Sequence, residues 1–121
     1  MKTMLIVDDS PFIRRVIKAF VSDLDIFVVG EAGNGVEAVA LYKEHMPDIV
    51  TMDLAMDEED GVTAMGKILS INPEAIVVIV SSVAGQDVVI KESMAMGAKR
   101  VFDKPIDRIP FTKYIEELTK E

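Results

Sequence analysis

The chain of 121 residues contains no cysteine, which excludes disulfides, thiolate metal ligands and cysteine nucleophiles. It also lacks any apolar run near the roughly 18 residues that a membrane helix needs, and its N-terminus lacks the pattern of a secretory signal. Lys and Arg never cluster beyond a pair and the net charge is −8, which makes a polyanion a poor partner. These absences predict a cytoplasmic protein that binds other proteins, with neither nucleic acid nor a membrane as a partner.

Half of the chain is hydrophobic, at 50% of residues, which is enough to bury the core of one domain spanning 1–121. Extended and helical patterns alternate along it. Buried strands are predicted at 4–7, 26–29, 48–52, 75–80 and 100–102, and helices from 10 onwards and at 34–46, 60–70, 86–96 and 110–120. Because the strands are continuous Val and Ile runs, we expect both faces of the sheet to be covered. The pattern therefore predicts an α/β fold with a parallel sheet and right-handed crossovers.

Polar side chains follow four of the five predicted strands, where each strand ends. Asp8 and Asp9 come after the first strand, Asp53 after the third, Ser82 after the fourth and Lys104 after the fifth. The carboxyl ends of parallel strands meet at one edge of a sheet, so these side chains are expected to lie together. Carboxylates this close resist joint ionisation unless a cation neutralises them. An all-oxygen donor set favours Mg²⁺.

The same residues suit phosphoryl transfer. An aspartate such as Asp53 can accept a phosphoryl group as an acyl phosphate. The Lys104 ammonium would offset charge on the phosphoryl oxygens, and the Ser82 hydroxyl could donate a hydrogen bond to one of them. Each residue alone has an ordinary explanation, as a strand end, a helix cap or a surface lysine. Their joint spacing favours a phosphorylation site.

Two other classes of protein fit less well. A flavodoxin needs a hydroxyl-rich loop after the first strand, where this chain has the acidic pair Asp8 and Asp9. An aspartate-based phosphohydrolase would have a second acid two residues after its nucleophile, where this chain has Ala55.

The chain resembles the receiver domains of two-component response regulators, and within that family the single-domain chemotaxis regulators. The matching segments span essentially the whole chain: LIVDDS at 5–10, GNGVEA at 33–38, PDIVTMD at 47–53, DG at 60–61, Ser82, GA at 97–98 and KP at 104–105. The resemblance implies a flavodoxin-like (βα)5 fold, a doubly wound five-stranded parallel sheet of order 2-1-3-4-5.

The resemblance also implies a role for each matching residue. Asp53 corresponds to the phosphoacceptor. The implied Mg²⁺ ligands are Asp8, Asp9, Asp53 and the backbone carbonyl of Ala55. Ser82 corresponds to the switch hydroxyl and Lys104 to the lysine that contacts the phosphoryl group, and the Lys104–Pro105 bond is often cis in this family. Such a protein is not an enzyme beyond catalysing its own phosphotransfer and dephosphorylation.

The implied partners are proteins. A histidine kinase would donate the phosphoryl group, the flagellar motor switch or an adaptor protein would be the target, and a phosphatase is a further implied partner. We expect a monomer. Two alternatives within the fold are a relay receiver of another pathway and a receiver domain excised from a larger regulator such as a chemotaxis methylesterase.

Several positions depart from the family pattern. Asp57 stands where proline is usual, so the loop after the acceptor gains charge. Val101 replaces the usual aromatic residue, and Phe102 is expected to point to the opposite face of the sheet. Val83 stands where alanine is usual, and Ile106 where phenylalanine is common. We predict that Val83, Val101, Phe102 and Ile106 contribute to the output face.

Overall fold

In a computed structural model of the chain, which describes residues 1–56, 60–82 and 85–120, five strands alternate with five helices. The strands are β1 (Lys2–Val7), β2 (Ile26–Ala32), β3 (Ile49–Met52), β4 (Ile76–Ser81) and β5 (Arg100–Asp103). The helices are α1 (Pro11–Val21), α2 (Gly35–His45), α3 (Gly61–Ile71), α4 (Asp87–Met96) and α5 (Arg108–Thr119). The predicted alternation is confirmed.

The five strands form one parallel sheet in the order β2-β1-β3-β4-β5, as the resemblance implied. Val7 at the end of β1 pairs with Met52 at the end of β3, and Met52 pairs with Ile79 in β4. Ser81, the last residue of β4, pairs with Asp103 at the end of β5. This register brings the residues that follow β1, β3 and β5 to the same edge of the sheet.

Helices cover both faces of the sheet, which explains why the strands are apolar on both sides. Among the described residues, buried side chains form one cluster between the sheet and α2, α3 and α4, and another between the sheet and α1 and α5. Val101 packs against the first cluster and Phe102 belongs to the second, so the prediction that they point to opposite faces is confirmed. The fold is doubly wound.

The helix starts follow from local side chains. The Ser10 hydroxyl accepts a hydrogen bond from the Ile13 N–H (3.3 Å), with proline at the first helical position. The Asn34 side chain accepts from the Glu37 N–H (2.8 Å), and the Glu37 carboxylate accepts in return from the Gly33 N–H (2.9 Å). This pair of hydrogen bonds resembles a capping box, except that the Glu37 carboxylate accepts from the residue before the cap and not from the cap itself.

Three predicted boundaries were wrong by more than a residue. The first strand was expected to begin at Met4, but β1 begins at Lys2, which pairs with Ile26 of β2. The second strand was expected to end at Val29, but β2 continues to Ala32 because β1 keeps pairing with it through Gly30, past a register shift. The last helix was expected to begin at Pro110, but α5 begins at Arg108. Proline is tolerated in the first turn of a helix, because a backbone N–H at that position would have no partner within the helix. Within the part of the chain described, no helix is long and apolar enough to cross a bilayer.

Candidate phosphorylation site

Backbone pairing fixes the predicted site residues at the carboxyl edge of the sheet. The Asp8 N–H donates to the carbonyl of Ala32 (3.0 Å), and the Asp53 N–H donates to that of Val7 (3.0 Å). The Lys104 N–H donates to the carbonyl of Ser81 (3.1 Å). Each of these three residues therefore extends the hydrogen-bonding ladder by one step, and its side chain starts from rigid backbone.

The carboxylates of Asp8, Asp9 and Asp53 lie together at this edge. Each offers an oxygen within 4.8 Å of the others. Asp8 is 1% exposed and Asp53 3% exposed, whereas Asp9 is open to solvent. The site thus consists of two buried carboxylates and a third at its mouth, and the ligand atoms that these three side chains offer to a metal are all oxygens. Such a set fits a hard divalent cation, and Mg²⁺ in particular.

Lys104 supplies a cation to the buried acids. Its Nζ lies 2.7 Å from Asp8 Oδ2 and 3.5 Å from Asp53 Oδ2. The other oxygen of Asp8, Oδ1, accepts a hydrogen bond from the Ser10 N–H (2.9 Å). The Lys104–Pro105 peptide bond is cis, as expected. The lysine thus bridges the acid after β1 and the acid after β3.

The two oxygens of Asp53 have different surroundings. Oδ1 accepts hydrogen bonds from the Ala55 N–H (3.1 Å) and from the Ser81 hydroxyl (3.0 Å). Oδ2 faces Lys104. The carboxylate is therefore held in one orientation, with one oxygen tied to fixed donors and the other turned towards the ammonium group.

Burial and the neighbouring charges both shift the pKa values of Asp53 and Lys104. Burial raises the pKa of Asp53, the negative charge of Asp8 raises it further, and the attraction of Lys104 only partly offsets this rise. Burial alone would lower the pKa of Lys104, but its contacts with Asp8 and Asp53 outweigh burial and raise it. The site therefore holds an excess of buried negative charge that a further cation would relieve.

Not every predicted residue lies in the cluster. Ser82 is exposed just after β4, and the hydroxyl that is hydrogen-bonded to Asp53 belongs to Ser81. The side chain of Ala55 is exposed, while its N–H contacts Asp53. The role of the Ala55 carbonyl as a metal ligand stays a prediction, as does the switch role of Ser82.

The residues predicted for the output face have different exposures. Val101 and Ile106 are half-buried. Phe102 is 7% exposed and its ring centroid lies 5.2 Å from that of Phe111, so in this structure it belongs to the core beneath α5 and adds little exposed surface. Val83 and the charged residues at 57–59 lie outside the described residues.

Three residues of the site, Ser81, Arg14 and Gly61, have roles that the sequence alone did not predict. The Ser81 hydroxyl could be placed only once the register of β3 and β4 was known. The Arg14 guanidinium donates from Nη1 to the Asp8 carbonyl (2.6 Å), one turn into α1. A Cβ on Gly61 would lie 2.1 Å from the carbonyl oxygen of Asp53, so glycine is required there. Gly61 was visible in the sequence as part of the Asp60-Gly61 motif.

Comparison with solved structures defines the class of protein. The chain is similar to CheY in the crystal structure of a CheX-CheY complex with BeF3 and Mg²⁺ from Borrelia burgdorferi, with a TM-score of 0.89 and 31% identity over 98% of this chain and 89% of that one. It is also similar to the response regulator domain of CheB from Thermotoga maritima, with a TM-score of 0.84 and 31% identity over 99% of this chain and 95% of that one. Both are receiver domains.

The sequence comparisons agree with the structural ones. The family model described as the response regulator receiver domain matches residues 4–116 of this sequence, and the chain belongs to that family. Within the family it is homologous to CheY: it is 41% identical to the chemotaxis protein CheY of Listeria monocytogenes over 120 residues, which cover 99% of this chain and 100% of that protein.

Proposed function

We propose that this receiver domain accepts a phosphoryl group from a histidine kinase on Asp53 and then signals by binding another protein, in chemotaxis. One observation carries the proposal. Asp53 is 3% exposed, yet its Oδ2 faces the Lys104 ammonium at 3.5 Å beside two further carboxylates. A fold would not be expected to keep such a cluster of buried charge for stability alone, because desolvating charges is costly.

The residues would divide the work as follows. Asp8, Asp9 and Asp53, with the Ala55 carbonyl, would hold Mg²⁺, which when bound supplies positive charge to the phosphoryl oxygens. Mg²⁺ is also present in the Borrelia CheX-CheY complex. Asp53 Oδ2 attacks phosphorus, and the bond from phosphorus to the donor's imidazole nitrogen breaks with its electron pair on that nitrogen.

Lys104 is already placed for the product. Its ammonium contacts the attacking oxygen and a second carboxylate, so it can turn to the phosphoryl oxygens without leaving the cluster. Lys104 therefore does not have to be recruited from solvent for the transfer.

The signal would travel through Ser82. This hydroxyl is exposed before phosphorylation, and a phosphoryl oxygen on Asp53 would offer it a hydrogen bond that only the phosphorylated state provides. Movement of Ser82 towards Asp53 would reshape the surface around α4 and α5. The half-buried Val101 is too small to add the large rotation that an aromatic residue would make there.

The partners follow from the same proposal. The Borrelia CheY was crystallised with CheX, which supports a protein as the partner of this fold. For this chain we propose the flagellar motor switch or an adaptor protein as the target, a phosphatase as a further partner, and a monomeric, cytoplasmic state. The likeness to the CheB domain favours a second candidate, the receiver of a chemotaxis methylesterase.

Phosphotransfer from purified histidine kinases tests the proposal. A chemotaxis kinase carrying labelled phosphate should transfer the label to the parent protein and not to Asp53→Asn. Label that reaches both proteins equally, or neither, would contradict the assignment. Capture with the phosphorylated protein then separates the candidates: retention of a motor or adaptor protein supports the first, and retention of a methylesterase catalytic domain supports the second.

A further inference from the structure

Ser81 is a buried hydroxyl that touches the acceptor. It is 1% exposed, it ends β4, and its Oγ donates a hydrogen bond to Asp53 Oδ1 at 3.0 Å. The neighbouring Ser82, to which the switch role was assigned, is exposed. The two adjacent serines therefore have different positions relative to Asp53, and the role of Ser81 is separate from that of the switch.

The contact decides which oxygen of Asp53 is available. Oδ1 has two fixed donors, the Ser81 hydroxyl and the Ala55 N–H, whereas Oδ2 faces Lys104. Oδ2 is therefore the oxygen that would bond to phosphorus, and Oδ1 would become the carbonyl oxygen of the acyl phosphate. The Ser81 hydrogen bond falls on the oxygen that does not react.

We propose that the Ser81 hydroxyl shortens the lifetime of the phosphorylated state by stabilising the Asp53 carboxylate as it leaves phosphorus. This inference rests on the proposed function. In the hydrolysis step water attacks phosphorus and gives a proton to solvent. The bond between phosphorus and Oδ2 breaks with its electron pair on Oδ2, which releases inorganic phosphate and restores the carboxylate.

Negative charge develops on Oδ1 of Asp53, the atom to which Ser81 donates, during this step. Oδ1 is a neutral carbonyl oxygen in the acyl phosphate, but it shares the negative charge of the carboxylate once the bond breaks. Hydrogen bonds to a charged acceptor are roughly twice as strong as those to a neutral one. A donor aimed at the atom where charge develops lowers the barrier. Loss of the hydroxyl should therefore slow decay by at least about threefold.

The forward reaction responds differently. The Ser81 hydrogen bond is stronger to the free carboxylate than to the acyl phosphate, so its removal does not raise the barrier to phosphorylation. A residue with a purely structural role would instead misplace Asp53, and its removal would slow formation of the phosphorylated state. The ratio of decay to formation therefore distinguishes the two roles.

The experiment compares five proteins with a small acyl phosphate donor and Mg²⁺: the parent, Ser81→Ala, Ser81→Thr, Asp53→Asn and a matched control, Ser93→Ala. Ser93 is also buried, but its hydroxyl bonds the Val89 carbonyl in α4, away from the site. Intact mass follows the added phosphoryl group during formation and, after removal of the donor, during decay. Urea denaturation checks that each variant is folded.

We expect Ser81→Ala to decay at least about threefold more slowly than the parent with an initial rate of formation that does not fall, and Ser81→Thr and Ser93→Ala to decay at the parent rate. Decay of Ser81→Ala at the parent rate or faster, slower formation, or equal slowing in Ser81→Thr would overturn the inference. Failure of the proposed function looks different: the parent protein would then gain no phosphoryl mass, or Asp53→Asn would gain as much.

Discussion

Replacement of Lys104 by methionine tests the electrostatics of the site. The change keeps a long side chain and removes the ammonium that lies 2.7 Å from Asp8 Oδ2 and 3.5 Å from Asp53 Oδ2. The two carboxylates are 1% and 3% exposed, so solvent cannot replace the lost cation. Lys104→Met therefore leaves two buried like charges close together.

The size of the effect follows from these distances. At an effective dielectric constant of about 20, the gross attractions at 2.7 Å and 3.5 Å are roughly 6 and 5 kcal/mol, against which burial of the ammonium must be set. Removal of one partner of a buried ion pair typically costs about 3–5 kcal/mol. We therefore expect Lys104→Met to lower the free energy of unfolding by about 3–5 kcal/mol at pH 7 without divalent cations.

The loss of stability in Lys104→Met should depend on pH in a direction that the pKa shifts of Asp53 and Lys104 define. The pKa of Asp53 is raised by burial and by Asp8, so its ionised form costs stability at neutral pH, and protonation relieves that cost as the pH falls through the raised pKa. The deficit of Lys104→Met should therefore shrink on acidification. The pKa of Lys104 is also raised despite burial, so its contribution is complete at neutral pH and is lost only as the pH rises through that pKa.

Urea denaturation with chelator, at several pH values, measures this directly. Lys91→Met is the matched control, since Lys91 is exposed on α4. Mg²⁺ should stabilise Lys104→Met more than the parent, because the three carboxylates remain and their repulsion is uncompensated. A loss below about 1 kcal/mol, the value of a surface pair, or a deficit that grows on acidification would refute the reasoning.

Four further substitutions probe metal binding, the lifetime of the phosphorylated state and signalling. Asp9→Ala should weaken Mg²⁺ binding at least about tenfold, roughly 1.4 kcal/mol, because it removes one of three carboxylates; an unchanged Mg²⁺ titration would exclude Asp9. Ala55→Asn should speed spontaneous loss of the phosphoryl group, since an amide can orient the attacking water where the exposed methyl group cannot, and decay at or below the parent rate would count against this. Ser82→Ala should still be phosphorylated, but phosphorylation should change its affinity for the target less than it does in the parent, whereas Val101→Ala should retain most of that change. An undiminished change in affinity in Ser82→Ala, or no change in Val101→Ala, would show that the signal travels through other residues.

Much of the fold was predictable because its signals are local. Continuous apolar runs mark strands that are covered on both faces, and Ser10 and Asn34 cap helices through neighbours three residues away. The end of β2 was not predictable in this way. Gly30 is a poor strand residue on its own, and only pairing with β1 carries the strand through it to Ala32.

The site, like the fold, was predictable in part from the sequence. Asp8, Asp53 and Lys104 were predictable as a cluster because parallel strands bring their carboxyl ends to one edge. Ser81 and Arg14 reach the cluster through the register of β3 and β4 and through the direction of one long side chain. Neither property is written in the spacing of residues along the chain, so these two contacts required the structure.

The most direct test of the central claim is whether Asp53 carries the phosphoryl group. The parent protein and Asp53→Asn are incubated with a small phosphodonor and Mg²⁺, and intact mass is followed by mapping of the modified peptide. An amide is not a competent nucleophile, so the parent should gain one phosphoryl group on Asp53 and the variant should gain none. Equal gain of mass in both proteins, or a modified peptide that lacks Asp53, would contradict the claim.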